Sequence, residues 1–202
     1  MQDVTIVGGL GNVGSVRNML VRLGFAAEVS EDPDRVRTAH KLILPGVGAF
    51  DAGVGGLRER GLDVALVEAV AAGASLLGIC LGMQLLLQGS EEGRLPGLGL
   101  VAGRARRFAA DGARLRVPHM GWNVVRPTRR SVLFDLGGPE QRFYFVHSYF
   151  VECDDQADVT GVASYGHEFV AAVEHGRVLG VQFHAEKSHR FGMALLKRFA
   201  ES

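Results

Sequence analysis

The stretch Ser75-Leu76-Leu77-Gly78-Ile79-Cys80-Leu81-Gly82-Met83-Gln84-Leu85-Leu86-Leu87 joins two apolar runs through a cysteine that lies between two glycines. Gly-x-Cys-x-Gly is the layout of a nucleophile elbow, in which a strand turns sharply into a helix with the reactive side chain at the apex. Because Gly78 and Gly82 have no side chains, the backbones of the strand and the helix can approach closely at these positions without a collision. A thiol at the start of a helix feels the positive end of the helix dipole, which favours the thiolate. The stretch therefore predicts Cys80 as a nucleophile; the alternative is a buried, unreactive cysteine in a strand–helix turn.

Two backbone segments are candidates for stabilising an oxyanion. The N–H of Leu81, directly after the cysteine, would point to where negative charge develops. The loop Pro45-Gly46-Val47-Gly48-Ala49-Phe50 is rich in glycine and can rotate a peptide so that a second N–H faces a ligand. An ordinary strand–helix connection is the alternative for this loop.

Composition excludes several classes of function. The 22 basic and 22 acidic residues cancel, so the chain has no electrostatic footprint for nucleic acid. Cys80 and Cys153 are too few for a disulfide framework and lack the C-x-x-C spacing of a metal site. We expect no metal, and we also expect no cofactor. The N-terminus does not resemble a signal peptide, and the apolar runs are too short to span a bilayer. A length of 202 residues favours one domain, residues 1–202, in a cytoplasmic protein without membrane contacts.

The N-terminal half alternates strand and helix patterns. This alternation predicts an α/β fold with a doubly wound, mostly parallel central sheet and helices on both faces. Predicted strands cover residues 4–7, 25–29, 41–44 (ended by Pro45-Gly46) and 75–79, and predicted helices cover 15–23, 57–72 and the segment from Cys80 onward. Ligands of such sheets bind beyond the carboxyl ends of the strands, where Cys80 and the Pro45 loop would both lie.

The pattern changes between about residues 98 and 181. Strand-like runs there are separated by Gly, Pro and Asp, which favours an added, more antiparallel section of the same sheet. The runs cover residues 114–117, 142–151, 159–164 and 169–174, and an amphipathic helix over 190–200 ends the chain.

The segment Gly9-Leu10-Gly11-Asn12-Val13-Gly14 matches G-x-G-x-x-G between a strand and a helix, with Glu28 or Glu31 roughly 20 residues further on. That spacing is typical of dinucleotide binding. We favour a flexible first loop instead, because no later segment resembles a site for hydride transfer.

His184 and Glu186 are the best candidates for the base that a thiol nucleophile needs. On an extended segment, residues two apart project from the same face. The imidazole would take the thiol proton and the carboxylate would fix its tautomer. His147 and His119 lack a carboxylate at close spacing, which favours structural or ligand-lining roles. Cys153, beside Asp154 and Asp155, is expected to be inert, because nearby negative charge disfavours a thiolate.

Together these motifs resemble the class I (triad) glutamine amidotransferases, whose fold is flavodoxin-like. GICLGMQ with His-x-Glu marks that class. Within it, the chain is most similar to the glutaminase subunits of imidazole glycerol phosphate synthases of histidine biosynthesis, because it also has PHMGWN at 118–123 and FVHSYF at 145–150. The similarity extends over essentially the whole chain, from Gly11-Asn12 and PGVGAF to QFHAEKS.

The resemblance implies a catalytic triad and a glutamine pocket. Cys80, His184 and Glu186 would hydrolyse L-glutamine to glutamate and ammonia through a thioester. Backbone N–H groups of Val47 and Leu81 would form the oxyanion hole. Side chains and backbone implied to hold the substrate are Gly48, Gln84, Glu92, Ser148 and Tyr149.

The resemblance also implies a protein partner. In this family the ammonia passes to a TIM-barrel cyclase subunit, which makes imidazole glycerol phosphate and an aminoimidazole carboxamide ribotide in a heterodimer. Residues implied to face that partner are Asn12, Met120, Trp122 and Tyr144, although Trp122 could equally belong to the core.

One departure and two alternatives accompany the resemblance. The family usually has proline between the triad His and Glu, and this chain has Ala185, which frees φ at that position. The glutaminase subunit of pyridoxal phosphate synthase has the same triad and a different barrel partner, but PHMGWN and FVHSY argue against it. A catalytically silent nucleotide-binding or regulatory module would use the glycine-rich first loop.

Overall fold

A computed structural model describes residues 4–109 and 115–202. The predicted strand at 114–117 begins outside these residues, and its described part, 115–117, is not a strand. The described residues form, in chain order, β1 (Val4–Val7), α1 (Val13–Arg22), β2 (Ala27–Ser30), α2 (Pro33–Thr38), β3 (Lys41–Gly46), α3 (Phe50–Glu59), α4 (Leu62–Ala71), β4 (Ser75–Cys80), α5 (Leu81–Leu85), β5 (Gly89–Ser90), β6 (Gly103–Arg107), β7 (His119–Pro127), β8 (Gln141–His147), β9 (Tyr149–Cys153), β10 (Val159–Tyr165), β11 (His167–His175), β12 (Val178–Val181) and α6 (His189–Glu201), with 3₁₀ turns at Gln156–Asp158 and Ala185–Lys187.

The sheet has a parallel half and an antiparallel half, as predicted. Its main path runs β2-β1-β3-β4-β12-β11-β10-β7-β8. The first five strands pair in parallel, and each later pair on the path is antiparallel. The order 2-1-3-4 followed by a last parallel strand is that of flavodoxin-like sheets. The predicted α/β, doubly wound fold is therefore confirmed.

Helices cover both faces of the parallel half. Successive residues of β3 alternate between the two cores, since Ile43 packs with α1 and α6 while Leu42 and Leu44 pack with α3, α4 and α5. A strand buried on both faces needs an almost unbroken apolar sequence, which is why the runs in β1, β3 and β4 were recognisable.

Several elements differ from the sequence predictions. The run predicted over 142–151 is two strands, β8 and β9, which are separated at Ser148 and pair with β7 and β6 respectively. The helix predicted over 57–72 is two helices, because Gly61, at φ 66°, ends one and begins the other. Strand β3 continues through Pro45, which was expected to end it. Its pairing with β1 stops at Ile43, so Pro45 pairs only with Ile79 on the β4 side. Helix α2, capped by the Asp32 carboxylate, was not predicted at all.

Within the described parts of the chain, no helix is both long enough and apolar enough to cross a membrane.

Candidate active site

Cys80 lies at the apex of a strained turn between β4 and α5. Its φ of 56° and ψ of −112° are conformations that a non-glycine residue rarely adopts. A Cβ atom at Gly78 would lie 2.7 Å from the carbonyl oxygen of Gly82, so the strand and helix touch through their backbones. The close approach predicted for these two glycines is present. The turn presents the Cys80 side chain at the carboxyl edge of the parallel strands.

His184 reaches Cys80 because β12 is the parallel neighbour of β4. Val181 lies opposite Ile79, so the residues after β12 pass beside the elbow. The His184 ring lines the same cavity as Cys80, and its Nδ1 is hydrogen-bonded to Glu186 Oε1 at 2.7 Å. Both the His184 and Glu186 side chains are 3% exposed. These are the three side chains of the predicted triad.

The carboxylate reaches the imidazole by a different backbone route from the one expected. The sequence suggested an extended segment, but Ala185–Lys187 is a 3₁₀ turn that begins directly after His184. The tight turn brings residue 186 back over residue 184. Ser188 closes this turn, because its hydroxyl donates to the His184 carbonyl at 2.5 Å and accepts from the Tyr144 N–H at 3.0 Å.

The electrostatics of the site favour a charged imidazole. Burial alone would lower the pKa of His184, but the neighbouring Cys80 and the hydrogen-bonded carboxylate of Glu186 raise it from 6.5 to about 9. Because Nδ1 bonds Glu186, the other ring nitrogen is the one available to the sulfur. A charged imidazole in this position can stabilise negative charge on the neighbouring sulfur.

A cavity of about 350 Å³ opens in front of the sulfur. Most of the predicted residues line it, whereas Glu186 lies behind His184 and does not. The lining consists of Val47, Gly48, Cys80, Leu81, Gln84, Glu92, Pro118, Val146, His147, Ser148, Tyr149, His184 and Lys187.

The two predicted oxyanion donors differ in availability. Leu81 is the first residue of α5, where backbone N–H groups have no partner within the helix. The Val47 N–H donates instead to the Leu10 carbonyl at 2.8 Å. Gly11 permits this contact, since a Cβ there would lie 3.0 Å from the Gly46 nitrogen. In this conformation Val47 lines the cavity but its N–H is already bonded.

The glycine-rich first loop thus packs against the Pro45 loop of the site. Glu31, one of the two acidic residues considered for a nucleotide ribose, pairs with Arg60 at 3.0 Å. The other, Glu28, accepts a long hydrogen bond of 3.4 Å from the Thr5 hydroxyl.

The predicted partner-facing residues have different environments. Met120 and Trp122 are 61% and 41% exposed, so Trp122 is not a core residue. Trp122 stacks on His189 with ring centroids 5.5 Å apart and meets Tyr144 edge-on. Asn12 is exposed and caps α1, since its side chain accepts from the Ser15 N–H at 3.3 Å.

A chain of hydrogen bonds through two buried histidines supports one wall of the cavity. His147 Nδ1 lies 2.8 Å from the Tyr149 carbonyl, which can only accept, so this nitrogen carries a proton. His147 Nε2 then accepts from His119 Nδ1 at 2.9 Å, and His119 Nε2 accepts from the Asn123 amide at 3.3 Å. Adding a proton to either ring would place two donors face to face. Both rings are therefore neutral, in keeping with the structural role expected for them.

The hydrogen bonds through His147 and His119 predict that the free energy of unfolding depends on pH. Burial lowers the pKa of His119 from 6.5 to about 4 and that of His147 to about 3. Below pH 6.5 the unfolded chain binds more protons than the folded one. The contribution of these two histidines to the free energy of unfolding is therefore fully present above pH 6.5, and it is lost as the pH falls through their pKa values in the folded state. For His147 alone the expected loss at pH 4 is about 3 kcal/mol relative to pH 7.

Urea unfolding at pH 7, 5.5 and 4 checks this prediction. His147→Asn keeps a donor near the Nδ1 position and cannot titrate, so its stability should fall less steeply with pH. Equal slopes for the variant and the wild type would contradict the assignment of neutral rings.

Ala185, in place of the expected proline, occupies the first position of the 3₁₀ turn. A residue here has a φ near that of proline and needs no backbone N–H within the turn. His184 is extended, with ψ 98°, which suits a residue that precedes proline. We expect Ala185→Pro to raise the free energy of unfolding by about 0.4–1 kcal/mol without changing the triad. A clearly lowered melting temperature would refute this.

Three residues that line the cavity were not among the predicted site residues: Pro118, Val146 and Lys187. Gln182, which contacts the sulfur of Cys80 but does not line the cavity, was not predicted either. For Gln182 a signal existed. It is a polar side chain inside the apolar run 178–183, and such residues are rarely buried without a specific partner.

Comparisons with known proteins place the chain in a family. The family model for glutamine amidotransferase class-I matches residues 4–202. The fold is shared with a solved glutamine amidotransferase (22% identity, TM-score 0.76, 98% of this chain and 97% of that chain) and with PurLQS from Thermotoga maritima (18% identity, TM-score 0.78, 100% and 99%). The chain belongs to the class-I glutamine amidotransferases.

Comparisons with individual proteins identify the family within this class. The chain is 47% identical over 192 residues to imidazole glycerol phosphate synthase subunit HisH 2 of Methanococcus maripaludis, covering 95% of each chain. It is 46% identical over 199 residues to the protein of the same name from Pseudomonas aeruginosa, covering 98% of each. Within the class, it belongs to the family of HisH subunits, which confirms the predicted resemblance.

Proposed function

We propose that this chain is the glutaminase subunit of an imidazole glycerol phosphate synthase and hydrolyses glutamine to glutamate and ammonia. The observation that carries the proposal is the buried His184 ring, hydrogen-bonded to Glu186 and lining one cavity with Cys80, which lies at a strained elbow. Membership of the HisH family supports the same conclusion.

The reaction proceeds in two steps at the sulfur. The Cys80 thiolate attacks the side-chain amide carbon of glutamine and forms a C–S bond. The His184 imidazolium gives its proton to the amide nitrogen, the C–N bond breaks, and ammonia leaves a γ-glutamyl thioester. A water molecule then attacks the thioester carbon while neutral His184 takes its proton. The C–S bond breaks, and glutamate is released.

Stabilising the oxyanion of both tetrahedral intermediates requires two donors. Leu81 supplies one from the start of α5. Val47 becomes the second when its peptide rotates away from the Leu10 carbonyl, a motion that Gly46 and Gly48 permit. Gly48 already has φ 98°, which other residues rarely adopt. We therefore propose that the enzyme rests with half of its oxyanion hole unformed.

The hydrogen bonds that Gln84 makes within the protein determine which of its side-chain atoms is available to the substrate. Its Nε2 donates to the Tyr149 carbonyl at 3.2 Å and to Gln182 Oε1 at 3.1 Å, which uses both N–H groups. Only its oxygen is left, so Gln84 accepts a hydrogen bond from glutamine. Glu92, on the rim of the cavity, is the partner proposed for the glutamine ammonium group, with Gly48, Ser148 and Tyr149 completing the pocket.

The ammonia needs a protected route, because it protonates readily in water. We propose that a TIM-barrel cyclase subunit docks over the exposed Met120 and Trp122, with Tyr144 and Asn12 at the same interface. Large apolar and aromatic side chains that are exposed in the free protein are typical anchors of an interface. A cytoplasmic location stays a prediction of the sequence.

Reconstitution with the barrel subunit tests the proposal. Adding the chain to the cyclase and its ribotide substrate should allow glutamine to replace ammonium salts as the nitrogen source. A barrel partner of pyridoxal phosphate synthase serves as the control. Stable binding to that control in place of the cyclase would favour the alternative glutaminase, and binding to neither would remove the proposed partner.

A further inference from the structure

Gln182 is a fully buried polar side chain in direct contact with the catalytic sulfur. It lies between β12 and His184, and its backbone N–H donates to the Ala171 carbonyl at 2.9 Å. Among the described residues, its side chain makes two polar contacts, one with Gln84 and one with Cys80. Burial of an amide is costly unless its donors and acceptors are used, so this pair of contacts defines the environment of the group.

Counting donors fixes the orientation of the amide. The Tyr149 carbonyl can only accept, so the Gln84 atom beside it is the nitrogen. The second proton of that nitrogen points to Gln182, which must therefore present its oxygen to Gln84. The nitrogen of Gln182 is consequently turned toward Cys80 Sγ, 4.0 Å away. Rotating the amide by 180° would oppose two donors and leave the sulfur beside an oxygen.

The partners of the sulfur differ in how they respond to its charge. The Val146 carbonyl, 4.0 Å from Sγ, can accept a proton from the thiol but repels a thiolate. The Gln182 N–H is a weak partner at this distance for a neutral thiol. It becomes a charge-assisted donor once the sulfur is negative, and such bonds are shorter and stronger. Gln182 therefore favours the reactive form of the group.

We propose that Gln182 is a further residue of the catalytic machinery, whose amide N–H stabilises the Cys80 thiolate while Gln84 holds that amide in the productive orientation. This inference rests on the proposed glutaminase function, which makes Cys80 the nucleophile. It adds a neutral donor to the triad, on the side of the sulfur from which β12 approaches.

Two substitutions separate this role from simple packing. Gln182→Glu has nearly the same shape and still accepts from Gln84, but it turns an oxygen toward the sulfur. Gln182→Met has a similar length and removes both polar atoms. The pH dependence of Cys80 alkylation by iodoacetamide, measured on the free chain in a Cys153→Ala background, reports the thiolate fraction directly.

The midpoint of alkylation should move up by about one pH unit in Gln182→Met and by more in Gln182→Glu, because the latter also adds negative charge. With the cyclase and its ribotide present, kcat/KM for glutamine should fall about tenfold or more. Thr160→Val is the control for a buried change, since Thr160 is fully buried, far in sequence from the triad, and its hydroxyl makes no hydrogen bond within the described residues. Its midpoint should equal that of the parent.

An unchanged midpoint in both Gln182 variants, with only a lower melting temperature, would overturn the inference and leave the proposed function intact. If one of the two Gln182 variants does not fold, the alkylation midpoint of the other variant tests the inference. Failure of the parent protein to hydrolyse glutamine in the presence of the cyclase would instead count against the proposed function, whatever the midpoints are.

Discussion

Cys80→Ala is expected to lower glutamine hydrolysis at least about 10⁴-fold while the fold stays intact. Without the sulfur no thioester forms, and neither His184 nor the oxyanion donors can replace a nucleophile. The backbone at residue 80 keeps its φ of 56°, since alanine carries the same Cβ as cysteine. Ammonia release from glutamine should be measured with the cyclase and its ribotide present, because the Val47 N–H of the free chain is bonded to the Leu10 carbonyl.

The second cysteine provides the matched control. Cys153 is buried, and burial together with the nearby carboxylates of Asp158, Asp154 and Asp155 raises the pKa of its thiol to about 12. It is therefore a neutral thiol at physiological pH, as the sequence predicted, and Cys153→Ala should retain the activity. Equal ammonia production by the Cys80→Ala variant and the wild type would end the enzyme hypothesis and favour a silent regulatory module.

Gly82→Ala is expected to destabilise the protein by about 3 kcal/mol or more. A Cβ atom at residue 82 would overlap the carbonyl oxygen and carbon of Leu44. Leu44 belongs to β3, a central strand paired on the β4 side, so this backbone cannot move without disturbing the sheet. The change should lower both the midpoint of urea unfolding and the yield of folded protein.

Gly55→Ala is the control for that experiment. Gly55 lies within α3, and a Cβ there meets no atom within 4 Å. Alanine is a better helix former, so this variant should gain roughly 0.5–1 kcal/mol. A Gly82→Ala variant as stable as Gly55→Ala would show that the elbow does not require its second glycine.

The elbow and the parallel strands were predictable because local sequence determines them. Buried strands need apolar runs, and a turn of this sharpness needs glycine on both sides of the nucleophile, so Gly78 and Gly82 are visible without a structure. The pairing of His184 with Glu186 was also foreseeable, although the 3₁₀ turn that brings them together was not.

Other features were not predicted, and most of them depend on distant parts of the chain. The break between α3 and α4 falls at Gly61, although apolar residues keep a helical spacing before and after it. The direction of the Val47 N–H depends on a carbonyl in the first loop, at Leu10. The role of Gln182 follows only from the orientation of Gln84, which in turn depends on the Tyr149 carbonyl. The Val47 and Gln182 contacts require knowing which segments are neighbours in the fold.

The position of β12 has a consequence for synthesis on the ribosome. This strand is the last of the sheet to be translated, yet it lies in the middle, between β4 and β11. Until it emerges, both neighbours keep an open edge, and Cys80 has neither its imidazole nor its carboxylate. With the proposed triad, a nascent or prematurely terminated polypeptide that lacks residues 184 and 186 would not hydrolyse glutamine, so the order of translation would delay the activity until β12 and the turn after it have formed.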